Sequence, residues 1–204
     1  RRSPAATIGL IMIVVMVVGA ILAPVLTPYD PVDTNLRARS LPPSFDHWLG
    51  TDHQGRDILT RILFGARISL FLGIGSVAIG AGFGVTLGLI SGYVGGWFDN
   101  IFMRLMDILL AFRLLLLSIA IVAILGPSVT NVMIAIGVSL LASFARLARG
   151  EVLSAREREY VLATYAIGGG AFRIMFRHIL PNILAPLIVF ATLRLGLAIL
   201  SESA

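Results

Sequence analysis

The chain has 204 residues, 57% of them apolar and only 13% charged, and its mean hydropathy of +0.94 lies far outside the range of water-soluble domains, so it is an integral membrane protein. The absence of cysteine excludes disulfides, thiolate metal ligands and a thiol nucleophile. The net charge of +5 is explained by arginines on cytoplasmic loops beside anionic lipid, and not by nucleic acid.

Arg1 and Arg2 precede a charge-free run over residues 3–29, longer than the ~20 residues a helix needs to cross a bilayer. This run is expected to be the first span, with its N-terminus in the cytoplasm on account of the two arginines. Residues 30–67 are polar and hold five arginines and five aspartates. That zero balance suits the extracytoplasmic side, where no arginine surplus is wanted. The Asp and Arg residues here either pair with each other in a structural re-entry segment or contact substrate; a metal site built from His47, Asp52, His53 and Asp57 is conceivable on spacing, but no metal is expected.

Residues 68–98 are again free of charge and form the second span. Gly80, Gly84, Gly88, Gly92 and Gly96 recur every four residues, on one helix face. Glycine there lets another helix approach closely, so the face reads as a packing seam, within the chain or against a partner. Residues 99–107 are expected as a short cytoplasmic turn, 108–125 as span three, and Gly126-Pro127-Ser128 as an external turn. Span four, 131–145, returns to the cytoplasm ahead of Arg146 and Arg149.

Residues 151–181 are a charged island between oily flanks. Good helix formers fill 154–167, Gly168, Gly169 and Gly170 stop them, and a second short helix over 171–179 is expected to end at Pro181. Two short helices on a glycine elbow make a compact cytoplasmic knob that another protein can grip. Span five, 182–204, is interrupted by Arg194, which costs several kcal/mol unless it meets water or an acid. Arg194 and Glu202 are therefore either pathway-lining charges or members of structural ion pairs.

The knob resembles the cytoplasmic Glu-Ala-Ala loop of ATP-binding cassette (ABC) importer permeases. In that register Leu162, Ala163 and Thr164 stand on the Glu-Ala-Ala, Gly168 on the glycine, and His178 ahead of the closing Leu180-Pro181. Leu162 and Thr164 depart from the family's glutamate and second alanine, and Glu157 and Glu159 lie close enough to substitute. A longer stretch, His47-Trp48-Leu49-Gly50-Thr51-Asp52, then Gly55-Arg56-Asp57, then Gly65-Ala66-Arg67-Ile68-Ser69-Leu70, resembles the C-type permeases of the dipeptide/oligopeptide/nickel branch. Asp107 with Phe112 is similar to that family's Asp and Phe-Pro ahead of a span, with Arg113 in the proline's place, read as interfacial.

The resemblance implies an all-α polytopic protein of the type I importer permease class, with five of an expected six spans and without the C-terminal one. Residues 1–67 would form an N-terminal helix plus extracytoplasmic segment and 68–204 the permease core. It implies a second homologous permease, two ATPase subunits and an extracytoplasmic solute-binding protein as partners, in the inner membrane of a bacterium or archaeon. It also implies transport of peptides, nickel or another small solute, with coupling through Glu159, Leu162, Ala163, Thr164, Gly168 and Arg173. All sixteen basic residues are arginine, and a P-loop needs its lysine. The ATP would thus be used by partner subunits, and no cofactor or catalytic residue is expected in this chain. An ion-gradient-driven secondary transporter is the alternative.

Overall fold

A computed structural model describes residues 4–112 and 114–202. Its helices are α1 (Pro4–Leu26), α2 (Ile58–Val94), α3 (Gly96–Ala111), α4 (Leu114–Leu125), α5 (Val129–Ala155), α6 (Glu159–Ala166), a single turn α7 (Ala171–Arg173) that continues as a π-helical segment (Ile174–Ile179), and α8 (Leu180–Glu202). Four helical stretches are long and apolar enough to cross a bilayer: Thr7–Leu26, Ile58–Val94, Val129–Ala155 and Ala171–Leu200. Helices α3 and α4 pass the same test together with a 93° bend, which brings the number to five if the pair is one span. The chain divides into two compact units, Arg1–Phe71 and Leu72–Ala204.

In the first unit, α1 ends where Thr27 Oγ1 donates to the Ala23 carbonyl at 3.0 Å. The loop that follows is tied by its own polar side chains. Asp52 accepts from the backbone N–H groups of Gln54 and Arg56 at 2.8 and 3.0 Å and pairs with the guanidinium groups of Arg56 and Arg61 at 2.9 and 2.7 Å. Those bonds, the backbone N–H of Arg56 foremost, hold the Asp52 carboxyl well below the usual carboxylate range against a smaller opposing effect of desolvation. Asp57 is the N-cap of α2: its Oδ2 accepts from the Thr60 N–H at 2.8 Å and the Thr60 hydroxyl at 2.7 Å. Its Oδ1 meets His47 Nδ1 at 3.1 Å. Burial raises its pKa, but the Thr60 and His47 bonds together outweigh that and leave it lowered. The four residues considered as metal ligands are thus divided: His47 with Asp57, Asp52 with two arginines, and His53 offering its carbonyl to Arg39 at 2.8 Å. Because Asp57 caps it, α2 starts at Ile58, ten residues before the expected second span.

In the second unit, α5 is the central helix, with Ile136, Leu140, Phe144, Ala145, Ala148 and Val152 all buried. It packs on α2 through the glycine seam. A Cβ at Gly80 would lie 2.8 Å from Leu140 Cβ, one at Gly84 2.6 Å from the Leu141 carbonyl, and one at Gly92 3.1 Å from the Arg149 carbonyl; at Gly88 the Ala145 carbonyl fills the space. Gly137 answers from α5, facing Ile79 and the Ser76 carbonyl. The fifth glycine does not join them: α2 ends at Val94, and Gly96 opens α3 at φ +63 with nothing near its Cβ position.

Three further expectations are corrected. Residues 99–107 form most of α3 and not a turn, because Phe102, Met106 and Leu109 recur at helical spacing and pack on Ala142 and Ala145 of α5. The helix expected over 154–167 is broken at Arg156–Arg158: α5 runs on to Ala155, the Arg156 guanidinium donates to the Gly92 carbonyl at 3.3 Å, and α6 starts afresh at Glu159. Pro181 does not end a helix, since the stretch from Ala171 to Leu200 is continuous. The π-helical turn just before it widens the backbone where the proline ring would otherwise strike the carbonyl four residues back. Asn182 Nδ2 then donates to the His178 carbonyl at 2.6 Å.

Candidate functional site: the α6 knob and the α8 arginine

The knob is built by a hydrogen-bonded stop. Ile167 ends α6, Gly168 takes φ +77, its N–H donates to the Tyr165 carbonyl at 3.0 Å, and the Gly169 N–H donates to the Thr164 carbonyl at 2.9 Å. This pair of bonds is a Schellman motif, which satisfies carbonyls that the helix end would leave bare. A non-glycine residue at 168 would be strained by its φ, whereas at 169 a Cβ would lie 2.6 Å from Thr164 Cγ2. Two of the three glycines therefore have distinct duties, and the third precedes α7.

One face of the knob is welded to the membrane helices. Val161, Ile174 and Ile179 are fully buried with Leu89 of α2, Ala148 and Val152 of α5, and Ile183 and Leu187 of α8. Tyr165 Oη donates to Tyr93 Oη at 2.6 Å, with the rings parallel and 6.3 Å apart. The other face is bare and partly apolar: Leu162, Ile167 and Phe172 are exposed, the last two at 85% and 73%. Glu159, Ala163, Gly168 and Arg173 are exposed beside them. Thr164 differs from the other residues expected to make the coupling contact, being 8% exposed with its hydroxyl on the Tyr160 carbonyl at 2.7 Å. It shapes the helix and does not face outward. Beside the knob, Glu151, Glu157, Arg158, Glu159 and Tyr160 line an open cleft of about 680 Å³.

The ends of α2, α3 and α5 are clamped close by. Arg149 grips Asp99 with Nε–Oδ1 at 2.6 Å and Nη2–Oδ2 at 2.5 Å, and the Ser91 hydroxyl gives Asp99 Oδ1 a further bond at 2.5 Å. Arg146 pairs with Asp107. None of these partners, nor Tyr93 with Tyr165, is visible as a local motif, because the residues come from separate segments.

On α8, the Arg194 guanidinium carbon sits 4.7 Å from the centroid of the Phe190 ring. Phe190 in turn meets Phe144 edge-on at 5.1 Å. Arg194 opens onto a cavity of about 490 Å³ lined also by Ser143, Arg146, Gly150 and Glu151. The side chains of Arg113 and Glu202 lie outside the described residues.

Several helices long and apolar enough to cross a bilayer, with a short helix between two of them that leaves one partly apolar face exposed, mark a polytopic membrane protein. Residues 84–204 match the family described as binding-protein-dependent transport system inner membrane component, and residues 1–43 match the N-terminal TM domain of oligopeptide transport permease C. The chain belongs to this family of transporter permeases. It is 50% identical, over all of its length and 67% of the relative's, to the dipeptide transport system permease protein DppC of Alkalihalophilus pseudofirmus. The corresponding figures are 46% identity, 98% of this chain and 70% of the relative for the dipeptide permease DppC of Haemophilus influenzae, and 41%, 100% and 67% for the oligopeptide permease OppC of Bacillus subtilis.

Proposed function

We propose that the chain is the permease subunit of an ABC importer of short peptides, and that it pairs with a homologous permease and is driven by two separate ATPase subunits seated on the knob. The single observation that carries this reading is the two-faced knob: Val161, Ile174 and Ile179 buried among α2, α5 and α8, with Leu162, Ala163, Ile167 and Phe172 bare on the other side. A stroke delivered to a floppy loop would be absorbed there, whereas this helix is fixed to three spans and passes displacement to them. Six arginines lie in or just before the knob, Arg146, Arg149, Arg156, Arg158, Arg173 and Arg177, which puts it in the cytoplasm. With α3 and α4 as one span, the N-terminus is cytoplasmic too, and the Asp52 loop faces the solute-binding protein outside. Peptide cargo is favoured by the names of the relatives above.

The test is uptake of a radiolabelled dipeptide by proteoliposomes holding the assembled transporter and its binding protein. Uptake that requires ATP on the knob side supports the reading. Uptake that runs on an ion gradient without the ATPases overturns it in favour of a secondary transporter.

A further inference from the structure

We propose that the cavity between α3, α5 and α8 is a subsite for a zwitterionic peptide, with Arg194 receiving the carboxylate and Glu151 the ammonium group; this rests on the importer reading above. Both side chains line the same space of about 490 Å³, within the range of small-ligand sites. Arg194 lies 14 residues into the span that begins at Leu180. An ionised side chain at such a place is expensive unless it meets water, an opposite charge or a ligand. Among the described residues no carboxylate lies within ion-pair distance of Arg194, and no cation within that distance of Glu151. The third charge on the cavity wall, Arg146, is already matched by Asp107. Among the described residues the space therefore presents one positive and one negative group without an ion-pair partner, and the two do not pair with each other. A peptide with free termini carries the complementary pair.

The geometry also prepares the arginine for that role. Stacking on Phe190, itself held edge-on by Phe144, restrains the guanidinium while leaving its N–H edge available. A planar fork fixed in this way matches a carboxylate bidentately, and less ordering entropy is lost on binding. Apart from Arg146 and Ser143 the rest of the wall is small or apolar, with Leu110, Leu147, Gly150 and Phe190. Such a wall tolerates varied side chains, while the two charges read only the termini.

The experiment uses the absence of cysteine from these 204 residues. Gly150→Cys places a reporter thiol in the cavity, where an added Cβ meets nothing within 4 Å. Maleimide labelling of this cysteine is followed in the assembled transporter with the dipeptide Ala-Ala, its C-terminal amide and its N-acetyl form. Ala-Ala at four times its dissociation constant is expected to slow labelling about fivefold. The amide and the acetyl form are expected to protect poorly, Arg194→Gln and Glu151→Gln to abolish protection, and Arg194→Lys to retain part of it. Equal protection by the amide, or none by Ala-Ala up to the highest soluble concentration, overturns the proposal. Slow labelling without peptide that rises on delipidation also overturns it, since a lipid headgroup would then hold the cavity. The ligand arms need no charge-altering variant, so a failure of Arg194→Gln to assemble leaves the test intact. Because peptide is added directly, loss of protection alongside intact ATP-dependent uptake separates a wrong subsite from a wrong function.

Discussion

Arg149, in the C-terminal third of α5, holds Asp99 in the first turn of α3 through two parallel N–H···O bonds of 2.6 and 2.5 Å. Asp99 is only 5% exposed and also accepts from Ser91 of α2, so one carboxylate ties three helices together at the end nearest the knob. Removing one partner of such a pair strands the other. Arg149→Met is expected to destabilise the second unit by about 3 kcal/mol, and Asp99→Asn by less, because the amide still accepts from Ser91. The double variant should recover part of the loss. Thermal unfolding of the four forms in detergent, read as a double-mutant cycle, measures the coupling.

The glycine seam makes a sharper steric prediction. Gly84→Ala forces a methyl group against the Leu141 carbonyl and Phe144 Cβ, at 2.6 and 2.7 Å in the present backbone, and overpacking of this kind costs about 1–3 kcal/mol. Gly82→Ala, on the same helix with open space around it, is expected to be neutral or slightly stabilising through helix propensity. A melting temperature that falls equally for both would contradict the seam.

Tyr165→Phe keeps the stacked rings and deletes the hydroxyl bridge to Tyr93. Loss of one such bond is worth about 1 kcal/mol, or roughly fivefold in the local opening equilibrium. Amide hydrogen exchange over α6 should accelerate by that factor, while exchange in the core of α5 stays unchanged.

The Asp52 loop gives a pH dependence of definite sign. Its carboxyl pKa is lowered on folding by the bonds from Arg56 and Gln54, so the ionised form stabilises the loop. That contribution is complete above the ordinary carboxylate pKa and is lost as the pH falls through that value toward the lower folded one. Corrected for the intrinsic rate, exchange at the Gln54 and Arg56 amides should rise on acidification through this window and be high at all pH values in Asp52→Asn.

These predictions rest on features that differ in how far the sequence disclosed them. Long apolar runs announce α1, α2, α5 and α8, because a bilayer demands length and apolarity from each span separately. The four-residue glycine period likewise marks the α2 seam as far as Gly92; only the turn at Gly95 and Gly96, with φ of +68 and +63, takes the fifth glycine out of it. Thr164 was legible as part of the knob but not as its inward face, since that depends on which side of α6 meets Leu89 and Val152. The Asp99–Arg149 clamp and the Tyr93–Tyr165 bridge join residues 50 and 72 positions apart, and no local spacing encodes such pairs. Pro181 misled for a local reason: a proline usually stops a helix, but here a π turn and the Asn182 amide make room for it and cover a carbonyl.

The most direct measurement of the central claim is a disulfide crosslink from a single cysteine at Ala163, on the exposed face of α6, to a cysteine in the groove of the cognate ATPase. The account predicts a crosslink in the assembled transporter whose yield changes when ATP is added. No crosslink from Leu162, Ala163 or Arg173 in a complex shown to be assembled would contradict it.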